Sequence, residues 1–101
     1  MKLLLITAVK EFEKEIKQLL KKASVHSFSY QEVKGYKNST GEAVESNWFG
    51  SEMNETDSIL FYAFTAKEKV DALFELVAEF NKEQQSLSHI HIAVLNIEKS
   101  N

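Results

Sequence analysis

The run Ser88-His89-Ile90-His91 carries the most evident chemical capacity in the chain. In an extended strand, positions i and i+2 share a face, which puts the Cα atoms of His89 and His91 about 7 Å apart. Two imidazoles at that spacing suit a pair of ligands to zinc or copper, or half of a site that a neighbouring subunit completes. His26 falls on another expected strand and is a third candidate. Coordination needs the neutral ring, so affinity for such a metal should fall as pH drops below histidine's unperturbed pKa of about 6.5. The competing reading is a hydrogen-bonded histidine pair at a sheet surface or subunit interface.

A second group gathers in the polar stretch 37–57, where Trp48-Phe49-Gly50 stands among Glu42, Glu45, Glu52 and Glu55. Aromatic side chains in an acidic loop can dock a partner protein or stack on a ligand. Folding back over the sheet edge is the alternative. The carboxylates could receive a hard cation, but their spacing is not that of an EF-hand. No catalytic constellation accompanies these residues. No serine sits in a Gly-x-Ser-x-Gly turn, and Gly35, Gly41 and Gly50 match neither common phosphate-binding loop. The chain is therefore expected not to be an enzyme.

Composition narrows the partners. The 101 residues make one domain, 44% hydrophobic and 27% charged, with a formal net charge of −3. All 12 basic residues are lysine, so the planar guanidinium fork that grips phosphate is absent. A nucleic-acid partner is excluded on that ground and on net charge. With no cysteine there is no disulfide, no thiol nucleophile and no thiolate zinc site. The apolar start, residues 3–9, runs into Lys10, Glu11 and Glu13 without a small-residue cleavage site, so it reads as a buried strand and a cytoplasmic protein. No stretch reaches the ~20 apolar residues of a membrane span.

These groups must be positioned by a short list of elements. Phe12, Ile16, Leu19, Leu20 and Ala23 recur at helical spacing, as do Val70, Leu73, Phe74, Val77 and Phe80, with Thr65 as a possible N-cap. Strands are expected over 2–8, 25–36, 58–65 and 88–97. The first and third are nearly continuous apolar runs, and the second places Phe28, Tyr30 and Tyr36 on one face. The order β-α-β-loop-β-α-β is the ferredoxin-like arrangement, an α+β fold with a four-stranded antiparallel sheet and two helices on one face. The last strand is apolar on both alternations, with Ile90, Ile92 and Val94 on one side and Ala93, Leu95 and Ile97 on the other. Helices cover one side only, so the other is expected to be buried against further subunits.

Particular stretches resemble those of PII nitrogen-regulatory signalling proteins. Val33-Lys34-Gly35-Tyr36, closing the second strand before a long loop, resembles the Val-Lys-Gly-Phe/Tyr run that leads into their T-loop, and Val94-Leu95-Asn96-Ile97-Glu98 resembles their Val-Leu-Pro-Val-Glu. The resemblance implies a homotrimer whose sheets face the threefold axis, with ligand clefts between subunits. It implies a regulatory role in which the T-loop-like segment 37–57 docks a transporter or another protein. Gly35, Tyr36, His89 and His91 are the residues it places at the cleft. Ser88-His89-Ile90-His91 stands where the family has Gly-Asp-Gly-Lys, so His91 replaces the phosphate-binding lysine. The family's T-loop glutamine has no counterpart in Gly35-Tyr36-Lys37-Asn38-Ser39-Thr40, and its C-terminal arginines have none before Asn101. ATP and ADP binding is not carried over.

Trp48-Phe49-Gly50-Ser51-Glu52 and Ile92-Ala93-Val94-Leu95 resemble the Trp-Trp-x-Gly stretch and the last-strand core of CutA, a family of the same superfold linked to divalent metals. CutA's cysteine-containing region has no counterpart. The expectation is a small PII-like trimer that senses a small ligand or metal and docks a partner through 37–57. The alternative is a CutA-like metal-binding protein.

Overall fold

The computed structural model describes residues 1–36 and 55–101. Strand β1 (Lys2–Val9) leads through a single 3₁₀ turn (Lys10–Phe12) into helix α1 (Glu13–Lys22), then strand β2 (Ser29–Tyr36). Strand β3 (Glu55–Thr65), helix α2 (Lys67–Glu83) and strand β4 (His91–Asn96) follow. The sheet order is β2-β3-β1-β4, with every neighbouring pair antiparallel. This is the ferredoxin-like arrangement expected from the sequence.

Alternation assigns the core. Leu4, Ile6 and Ala8 of β1 pair with Ala63, Phe61 and Ile59 of β3, and all six are buried. Against them pack Ile16, Leu19 and Leu20 of α1 and Val70, Leu73 and Val77 of α2. Phe12 and Phe80 meet edge to face at 5.3 Å and join the two helices. Phe28 and Tyr30 lie against the Phe61 ring at 5.6 and 5.1 Å, so they share the helix side, as the alternation predicts.

Several boundaries differ from expectation, three of them before α2. The second strand begins at Ser29 and not near Val25, because α1 ends in a Schellman motif. Ser24 takes φ 63°. Its N–H bonds to the Lys21 carbonyl at 3.0 Å, and the Val25 N–H bonds to the Leu20 carbonyl at 2.9 Å. Val25 and Leu20 are both buried, which supplies the motif's apolar contact. The third strand begins at Glu55, so Glu55, Thr56 and Asp57 belong to the ladder with β2 and not to the loop. Thr65 is buried at the end of β3, and Ala66 takes the N-cap position of α2 without a side-chain cap.

The helix-free face is apolar over half its length. Its rows run Leu95–Leu3–Phe64, then Ala93–Leu5–Tyr62–Ser29, then His91–Thr7–Leu60–Gln31, then Val9–Ser58–Val33. Within it Phe64 is 56% exposed, Leu95 45% and Tyr62 39%, and Leu3, Leu5 and Leu60 are only partly covered. An exposed apolar patch of this kind on one face is a mark of an interaction surface.

Candidate functional site

The proposed cleft residues occupy one end of the sheet and opposite edges of it. Gly35 and Tyr36 close β2, where they pair with Thr56 and Glu55. His91 opens β4, in register with Thr7 near the end of β1. Strands β3 and β1 stand between them, so the two edges lie about three strand spacings apart, roughly 14 Å. One chain therefore does not bring Gly35 and Tyr36 to the histidines. Gly35 is buried, whereas Tyr36 is 65% exposed. His26 precedes β2 and is exposed on the connection from α1.

The histidines are set apart by backbone state. His91 lies in β4 on the helix-free face, while His89 lies two residues before the strand begins and is exposed. Strand β4 starts later than the sequence suggests because the preceding backbone is held by Asn81 in the last turn of α2 and by Gln84, its C-cap residue. The Asn81 carboxamide donates from Nδ2 to the Ile90 carbonyl at 2.8 Å and accepts the Ile90 N–H at Oδ1, also 2.8 Å. The Gln84 Oε1 accepts the Ser86 N–H at 3.0 Å and the Ser86 hydroxyl at 2.6 Å. Its Nε2 donates to the carbonyls of Ser86 and Ser88. The Ser88 N–H bonds to the Ser86 hydroxyl oxygen at 3.2 Å. Asn81 and Gln84 are structural determinants that sequence patterning passed over, since both read as ordinary polar positions at the end of a helix. The one available signal was the amide-and-serine run Gln84-Gln85-Ser86 directly after it.

Among the described residues no three His, Asp or Glu side chains gather as a metal site. A metal at His89 or His91 would need further ligands from beyond that set.

The other edge is a lattice of ion pairs. Lys34 and its cross-strand neighbour Asp57 pair at 2.5 Å, and Lys10 meets Glu32 at 3.1 Å. The Lys34 ammonium holds the Asp57 carboxyl below its ordinary value, and Asp57 raises Lys34 in return. Glu32 raises Lys10 in the same way. A groove of about 390 Å³ opens here, lined by Glu11, Lys34, Glu55, Thr56 and Asp57. On the helix side of β2, Lys17 bonds Glu13 at 2.8 Å and the Tyr30 hydroxyl at 2.9 Å, and those contacts raise its pKa. The partner-docking candidates Glu42, Glu45, Trp48, Phe49 and Glu52 lie outside the described residues. Among the described residues no helix is long and apolar enough to cross a membrane.

No family model and no curated protein matches the sequence. Solved structures do. The chain superposes on CPII, a nitrogen-regulatory PII-like protein from Thiomonas intermedia K12, solved with ADP, AMP and bicarbonate, with TM-score 0.62 and 18% identity over 99% of this chain and 94% of that one. The apo form of CPII gives TM-score 0.64 at 16% identity, covering 95% and 89%. A DUF3240-family protein from Shewanella baltica OS155 gives 0.65 at 15% identity, covering 99% and 92%. At these identities the likeness is one of fold, and the fold of this chain is that of PII-like proteins.

Proposed function

We propose that the chain is a small PII-like regulatory protein. In this reading it assembles as a homotrimer through the helix-free face, binds a small ligand or metal in clefts between chains, and docks a partner through the segment 37–54 that joins β2 to β3. The carrying observation is the placement of the cleft candidates. Gly35 and Tyr36 sit on one outer strand and His91 on the other, at the same end of the sheet. A cleft that uses both is built where β2 of one chain approaches β4 of the next. The apolar rows around Leu3, Leu5, Tyr62 and Phe64 supply the surface that would drive such an assembly, because each large side chain removed from water contributes on the order of 1.5–3 kcal/mol. The fold shared with CPII supports a regulatory role, and CPII itself was solved with adenine nucleotides.

For this chain a transition metal fits the cleft better than a nucleotide phosphate. It has no arginine, and the N–H groups of Ser86, Ser88 and Ile90 are already taken by side-chain oxygens. Calorimetry with zinc, copper and ADP tests the reading. Binding of zinc or copper by the parent, lost in His89→Ala/His91→Ala, is the expected result. Equal metal affinity in parent and double variant would refute the ligand assignment.

A further inference from the structure

The connection from α2 to β4 is closed by two side-chain amides. Asn81 engages both backbone groups of Ile90, as the peptide of an antiparallel neighbour would. It therefore stands in for a strand residue one position before β4 begins. Gln84 does the same service for the preceding turn, gripping Ser86 on both its N–H and its carbonyl and reaching the Ser88 carbonyl. The N–H groups of Ser86, Ser88 and Ile90 are thus each engaged by a side-chain oxygen, and Ile90 is seated in the core at 2% exposure.

We propose that Asn81 and Gln84 are positioning residues for the His89/His91 edge. They hold the connection in one conformation that presents imidazoles, and not backbone amides, to a ligand. This rests on the metal-binding reading of that edge. The physical basis is alternation. With Ile90 fixed at both backbone groups and its side chain seated in the core, His91 directly after it starts β4 on the helix-free face, and His89 directly before it stays exposed on the connection. N–H groups already engaged by side-chain oxygens do not converge on an anion, whereas anion-binding loops work through free ones. A free connection of the same sequence would sample many imidazole separations, and ordering it on binding would weaken affinity.

The test measures two quantities on the full-length protein, amide hydrogen exchange and zinc affinity by calorimetry, in the parent, Asn81→Ala, Gln84→Ala and Asn81→Asp. In Asn81→Ala the Ile90 amide should lose about tenfold protection or more, the scale of one net hydrogen bond. Zinc affinity should fall by about the same factor. Gln84→Ala should act likewise through the Ser86 amide. Asn81→Asp keeps the acceptor for the Ile90 N–H, so it should retain that protection while losing the bond to the Ile90 carbonyl. It also guards against an alanine variant that fails to fold. Unchanged Ile90 and Ser86 protection in the alanine variants overturns the proposal, as does parental zinc affinity once protection is lost. A parent that binds no zinc refutes the metal reading instead, and the exchange data then decide the clamp alone.

Discussion

Replacing Ser24 by glycine should stabilise the protein. Ser24 is the one non-glycine residue with positive φ among the described residues, at 63°, and it fills the position that glycine usually takes in a Schellman motif. A Cβ in the left-handed region crowds the following carbonyl and costs about 1–2 kcal/mol. Glycine removes that clash but brings a more flexible unfolded chain, which offsets roughly 0.5–1 kcal/mol of the gain. The net expectation is about 0.5–1 kcal/mol. For a domain near 100 residues this raises Tm by about 2–8 °C. The bonds that define the motif, from Ser24 N–H to Lys21 and from Val25 N–H to Leu20, use backbone atoms only and survive the change. Thermal unfolding followed by circular dichroism, at one fixed protomer concentration because assembly would shift Tm, measures the effect. Ser24→Ala is the control, since it keeps Cβ and should bring no gain. A Ser24→Gly protein with Tm equal to or below the parent's would refute the strain argument.

Other outcomes follow from the same geometry. Leu5→Lys, on the helix-free face between Ala93 and Tyr62, should leave circular dichroism near that of the parent while lowering the sedimentation coefficient, because the charge enters the proposed interface. Asp57 should titrate below the ordinary 3.8 in the parent and return towards it in Lys34→Met, as read by carboxyl carbon NMR. By linkage, a depressed carboxyl adds stability above its unfolded pKa and loses it as pH falls through the folded one. The raised Lys34 adds stability below its unfolded pKa and loses it as pH rises through the folded one. The pair therefore supports the fold across neutral pH and fails first in acid. ATP should bind far more weakly than to proteins with a full phosphate site. Two missing charge-assisted hydrogen bonds at roughly 1.5–3 kcal/mol each weaken affinity more than a hundredfold, and micromolar binding in calorimetry would contradict this.

Much of the fold was legible because its signals are local and periodic. The helical spacing of Ile16, Leu19 and Leu20, and of Val70, Leu73 and Val77, names core residues directly. The alternation of the last strand exposed its second apolar face. Boundaries were less legible, since they depend on contacts that sequence spacing does not encode. The left-handed Ser24 shortened β2, and Asn81, nine residues away from Ile90, delayed the start of β4. That second contact also moved His89 out of the strand, so the simple picture of two imidazoles on one strand face gave way to one on the strand and one on the connection before it. The separation of Gly35 from His91 was likewise hidden, because strand order is a tertiary property.

The central claim is an assembly that buries the helix-free face and joins the two sheet edges of neighbouring chains. Light scattering on the purified protein at micromolar concentration tests it most directly. The expected mass is three times that of the 11.6 kDa chain, unchanged on modest dilution. A stable species with the mass of one chain would contradict it.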